Sequence, residues 1–431
     1  MIGIGPTTAD EDASAATPSR LTERHVLALG LALSGLFVTA AMATAAWSVL
    51  GGGHIWAALH LALAGAATVA IGTFMPHFAI TLAGTRPSPA PQRLATLALL
   101  AVGSATVVLG GTLLGGRWAA AGAGIVGLGL AGVAMHTLAP LRDPLARRHP
   151  VVAVAYGTAL VELAAGVALA GLAVAGVTAV ISEWALVRPA HVWLTLFGGV
   201  SLTILATLVY LAPTVYGARI RPGRDLAIAV LGMGIGPIVV AGGFVLDSRT
   251  AVLAGLAITC AGAIAQMVYV FDCRRRRGPY TSSHDWRRVV TGHLVAGPFW
   301  FVAASVAALV DLMLGRQLAG WSTGLLALPM VAGWMLQELV SSWTHLLPAV
   351  TPGSAEVHAR QRRVLAIASR TRLVTWNGGL GLLWIGLATD ASVIAVAGGI
   401  SLGATVGLSV ALLGRALAVR TPSPRAPRPA N

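Results

Sequence analysis

The chain has 431 residues, 56% hydrophobic and 10% charged, with a formal net charge of +14 and a mean hydropathy of +0.80. Hydropathy at that level over this length excludes a water-soluble domain and makes the chain a polytopic membrane protein. The positive charge falls in short arginine tracts between apolar runs, so it reads as membrane orientation and not as a nucleic-acid footprint. The two cysteines, Cys260 and Cys273, support neither a disulfide framework nor a cysteine zinc site.

Residues 1–24 are polar and acidic, which predicts a disordered cytoplasmic N-terminus without a cleavable signal sequence. A bilayer core of about 30 Å takes about 20 helical residues. Twelve segments meet that length, at 25–49, 54–83, 94–115, 117–139, 151–179, 188–216, 224–245, 250–271, 289–313, 319–350, 366–388 and 391–419. The expected fold is thus all-α, a single twelve-helix membrane domain over 25–419 in contact with the lipid bilayer, followed by a disordered cytoplasmic tail over 420–431. Of the 29 arginines, 25 fall in the N-terminus, in the loops after the even-numbered segments, or in the tail; only Arg117, Arg188, Arg249 and Arg316 fall on the other side. In a cell membrane this asymmetry predicts cytoplasmic termini, in agreement with an even number of spans.

One pattern recurs. Gly65 is followed twelve residues later by His77, Gly198 by Tyr210, and Gly333 by His345, and the glycines stand 133 and 135 residues apart. Pro213 and Pro348 follow the ring residue by three positions, and Gly84-x-Arg86 matches Gly217-x-Arg219. The pattern falls on the second, sixth and tenth segments, so it predicts three units of four helices, about 25–139, 151–271 and 289–419. Four is even, so the units would be parallel and related by a pseudo-threefold axis along the membrane normal, unlike the inverted repeats of many transporters.

Ionisable groups inside a membrane are costly and mark candidate sites. With direction assigned, His60 and His191 start their helices near the outer face. Two neutral imidazoles from different helices can ligate a haem iron axially or share a copper ion; the alternative is an interfacial pair satisfied by water, with Trp56 and Trp193 in an aromatic belt. His77, Tyr210 and His345 form an inner tier at equivalent repeat positions, which His293 can reach and in which His77, His345 and His293 are candidate metal ligands. Glu338 and His345 are seven apart, about two helical turns, and share a face with Ser341 and Ser342. Glu338 would orient a ligating histidine or relay protons; a satisfied helix-packing network is the alternative. Glu162 stands alone on the fifth segment, with Tyr210 and Glu162 as further relay candidates. His149, His284 and His358 lie in arginine-rich loops and read as solvated. No phosphate loop, nucleophile elbow or zincin motif is present.

Twelve helices in three units, with histidines at the outer starts of the second and sixth, resemble subunit I of the haem-copper oxidases. The stretch WAALHLALAGAATVAIGTFMPHF is similar to the second helix of NnrS-type membrane proteins, a related haem- and copper-containing group connected with nitric oxide metabolism. The resemblance implies a low-spin haem ligand at His60 and a copper ligand at His191. The chain departs from the oxidases in its seventh helix, LGMGIGPIVV, which lacks their histidine pair; in its tenth, which lacks the early ligands; and at HVWLT, which lacks the nearby tyrosine. An oxygen-reducing centre is therefore not expected. The expected function is haem or copper binding in redox, nitric oxide or metal handling, with a possible redox partner protein. The alternatives are a transporter or pore with an intramembrane His/Glu site, and a cofactor-free scaffold subunit.

Overall fold

The computed structural model describes residues 22–419 apart from positions 50, 53, 144–149, 222, 279–284, 316, 320, 322, 323 and 352. The expected tail over 420–431, the N-terminal segment up to residue 21, His149 and His284 lie outside the described residues. Every described element is helical. Among the described residues eleven helices are long and apolar enough to cross a membrane: α1 (Glu23–Val49), α2 (Ile55–Ala83), α3 (Ala90–Leu114), α4 (Gly116–Arg142), α5 (Pro150–Val174), α6 (Trp184–Tyr216), α7 (Arg224–Val245), α8 (Arg249–Arg275), α9 (Trp286–Met313), α10 (Gly324–Val350) and α12 (Ser392–Leu417). The segment expected over 366–388 is the helix α11 (Ser369–Ala388), which does not reach that apolarity because Arg370, Arg372 and Asn377 dilute it. Large apolar side chains such as Leu36, Val161, Val374 and Ile400 are exposed. On a protein in water so extensive a belt would drive aggregation; here it is a surface for lipid.

Burial is greatest in α6 and α10, with α2 and α7 next. Each of α2, α6 and α10 is interrupted by a π turn, over Leu61–Ala67, Trp193–Val200 and Pro329–Met335, and the three repeated glycines lie inside these turns. A fourth π turn, Gly110–Leu114, ends α3. A π turn breaks the i to i−4 ladder and releases main-chain carbonyls, which in a membrane must find donors within the protein. They do. Ser34 donates to Ala66 O and Ser201 to Leu196 O, each at 2.7 Å, while Gln337 donates to Gly333 O and Trp376 to Ala332 O, each at 2.9 Å.

Glycine at these three places also leaves room for a neighbour. A Cβ would strike the Phe37 ring at Gly65, the Glu162 carboxyl at Gly198 and Trp300 at Gly333. Phe37, Glu162 and Trp300 belong to α1, α5 and α9, the helix preceding each interrupted one. The tightest helix pairs are α3 with α4, α7 with α8 and α11 with α12. Small residues carry that contact: Gly103 meets the main chain at Gly122 and Val126, Gly232 meets Gly262, and Gly379 meets Gly398. The Gly-x-Arg match has a local cause, since Gly84 and Gly217 close α2 and α6 in the left-handed conformation, at φ 62° and 61°.

Two boundaries differ from the sequence reading. α1 begins at Glu23, inside the segment expected to be disordered, because Glu23 pairs with the buried Arg93 and with His77. The arginine-rich stretch after α10 contains a surface helix, Ala355–Leu365, which buries Val357, Gln361 and Leu365 at a spacing of four. His358 on that helix is half-buried and donates from Nε2 to Thr351 O at 3.2 Å, so it is not a freely solvated loop residue.

Candidate functional site

His60 is the residue before the π turn of α2, and His191 lies two residues before that of α6. The His60 Nδ1 is 2.9 Å from Trp56 O, one turn back on its own helix, and the Trp56 ring stacks on the imidazole with centroids 4.0 Å apart. The His191 Nδ1 is 2.8 Å from Gly166 O on α5. A carbonyl only accepts, so each Nδ1 carries the proton and donates it. The Nε2 lone pair of each ring is then free of any partner among the described residues. The two rings lie within electrostatic reach of each other. Donation of one ring N–H to a main-chain carbonyl is how proteins orient a metal-ligating histidine and fix its tautomer. Each ring is thus held as the neutral tautomer with its Nε2 lone pair outward, the form in which an imidazole ligates a metal. No group of three His, Cys, Asp or Glu side chains gathers to hold a metal among the described residues.

The inner-tier residues find separate partners. His77 Nδ1 bonds Glu23 Oε1 at 3.2 Å, and Glu23 also pairs with Arg93, whose Nη2 donates to Thr73 O at 3.2 Å. His345 is half-buried with its ring 6.2 Å from that of Trp286. In both cases the partner sits on the first helix of the same expected unit, α1 or α9. His293 is fully buried; its Nδ1 bonds Gln337 Oε1 at 2.7 Å and its Nε2 has no partner. Gln337 Nε2 in turn donates to Asn377 Oδ1 at 3.0 Å, which also accepts from Trp300 Nε1 at 2.8 Å. This network across α9, α10 and α11 is one that a search for ionisable residues passes over, because Gln337 and Asn377 carry no charge. His136 is satisfied on both nitrogens by Thr96 and Ser88.

Between α2, α6 and α10 lies a cavity of about 60 Å³. Its walls follow the repeat interval. One layer is Ala70, Thr203 and Glu338; the next is Ile71, Ile204 and Leu339; then come Phe74, Thr207 and Ser342, and last Met75, Leu208 and Trp343. Within each layer the positions are separated by 133 and 135, the interval of the three glycines. Thr203 and Thr207 had no sequence signal of their own, although the glycine interval applied to Glu338 and Ser342 points to both. Thr207 Oγ1 is 3.0 Å from the hydroxyl of Tyr156 on α5. Glu338 and Glu162 are buried, and none of their carboxyl oxygens has a hydrogen-bond partner. Tyr210 lies one turn beyond the Thr207 layer on α6, partly buried.

The chain's own arrangement carries the functional reading: no protein-family model and no curated protein matches this sequence.

Proposed function

We propose that this protein is a twelve-span membrane protein of three parallel four-helix units about a pseudo-threefold axis, with His60 and His191 binding a haem iron or a copper ion. Its activity is redox, nitric oxide or metal handling, as in the haem-copper oxidase subunit I and NnrS groups it resembles, with electrons exchanged with a partner protein. Both termini face the cytoplasm of a cell membrane, on the side where 25 of 29 arginines fall. The remaining span is α11, two of whose polar residues turn inward: Arg372 donates to Leu365 O at 2.6 Å and Asn377 joins the Gln337 network. The recurrence of the 133 and 135 interval in the cavity walls supports the three-unit arrangement.

The observation that carries the site is the matched pair of Nδ1–H···O=C bonds, which present two lone pairs from two π-interrupted helices within electrostatic reach of each other. A bound haem or copper supplies one-electron chemistry and affinity for diatomic ligands. The chain's own part is to orient the two imidazoles, through Trp56 O and Gly166 O, and to enclose one side with the Trp56 ring. The test is the absorption spectrum of the purified protein together with metal analysis. A Soret band or stoichiometric copper supports the reading. Neither haem nor copper in protein prepared with both supplied rejects it and leaves a scaffold role.

A further inference from the structure

Glu338 stands on the wall of the central cavity with 2% of its surface exposed and both carboxyl oxygens unpartnered. An unpaired carboxylate in such a place costs several kcal/mol or more, and the helix facing it supplies no cation: α9 carries Gly297 there, where a Cβ would strike the carboxyl. Gly297 is 135 residues after Glu162, so the third unit has a glycine where the second has its own buried carboxyl. His293, one helical turn from Gly297 on α9, is bound to Gln337, and Tyr216 on α6 is within electrostatic reach of Glu338. The rest of the cavity offers hydroxyls, those of Thr203 in the same layer and of Thr207 and Ser342 one turn further, with Thr207 tied to Tyr156. A water needs about 10–15 Å³ and two or more polar partners; the cavity has the volume for a few waters, and the hydroxyls of Thr203, Thr207 and Ser342 are polar groups on its wall.

We infer that Glu338 is a proton-binding site of the central cavity, resting as the neutral acid and exchanging its proton with water held against Thr203, Thr207 and Ser342. In the exchange the carboxyl O–H bond breaks, its electron pair stays on the carboxylate, and a water oxygen takes the proton on its own lone pair. Nothing is oxidised or reduced. A hard cation such as calcium or magnesium demands about six oxygen ligands, more than one carboxylate and three hydroxyls provide. The site goes beyond the metal reading at His60 and His191 and does not depend on it, since its test needs no bound metal.

Infrared spectra of the protein in lipid, wild type minus Glu338→Gln, should contain the C=O stretch of a protonated carboxyl, and that band should shift in D2O. A carboxylate band in its place, a C=O band indifferent to D2O, or displacement of the band by sodium chloride would each overturn the proposal. Should Glu338→Gln fail to fold, the wild type decides: dicyclohexylcarbodiimide reacts with protonated carboxyls in apolar surroundings, and peptide mass spectrometry should find the adduct on Glu338. An unmodified Glu338 would overturn the proposal.

Discussion

Gly333→Ala is expected to destabilise the protein although alanine is the better helix former. The new methyl carbon would lie 2.6 Å from both Cβ and Cγ of Trp300, whereas carbon atoms pack best at about 3.5–4.0 Å. Trp300 cannot swing away without loss, because its Nε1 donates to Asn377 Oδ1 at 2.8 Å and its ring packs edge-on against Trp384 at 6.0 Å. The helices α9 and α10 must therefore part by about 1 Å. Overpacking of this kind costs about 1–3 kcal/mol, against a gain of at most about 1 kcal/mol from replacing glycine in a helix. A suitable control is Gly127→Ala on α4, where a Cβ meets nothing within 4 Å and only the gain remains. Reversible unfolding in mixed detergent micelles should separate the two variants by about 2 kcal/mol, with Gly333→Ala below wild type. Equal midpoints for the two would refute the packing argument and remove the reason given for a glycine inside the π turn.

Ser201→Ala should cost about 1–3 kcal/mol, because it leaves both Leu196 O and Trp334 Nε1 without their partner; an unchanged unfolding midpoint and indole emission would refute this. Glu23→Gln leaves the buried Arg93 without its anion and should lower stability by about 3 kcal/mol, partly restored by adding Arg93→Leu. A loss below about 1 kcal/mol would class the pair with exposed salt bridges. Thr250→Cys and Glu356→Cys, at exposed positions separated by the three spans α8, α9 and α10, should label from opposite faces of sealed vesicles. Labelling from one face would contradict the proposed orientation.

Much of the helical architecture is legible in the sequence because apolar runs of bilayer length have few other uses. Eleven of the expected segments are long and apolar enough to cross a membrane, and the 366–388 segment is a helix in which one arginine is a disguised charge: Arg372 is 2% exposed and bonded to Leu365 O and Ser409. The glycine interval of 133 and 135 is legible too, since a position that tolerates no Cβ leaves a mark in the sequence. The π turns around those glycines are not, because the extra residue in the turn replaces no characteristic side chain, and two of the donors that satisfy them, Ser34 and Trp376, come from other helices. Charge marks Glu162 and Glu338 in the sequence but not Gln337, Asn377, Thr203 and Thr207, whose roles depend on what stands opposite them. The repeat places His77 and His345 at equivalent positions, but the bonding of His77 with Glu23 and of Glu23 with Arg93 is a grouping that only tertiary contact reveals.

The most direct test of the central claim is the haem and copper content per chain of wild type, His60→Ala and His191→Ala, purified side by side and checked for a common elution volume. The account predicts a metal centre in the wild type that is lost in either single variant, because one centre would need both imidazoles. Wild-type content in either variant, or the same absence in all three proteins, would contradict it.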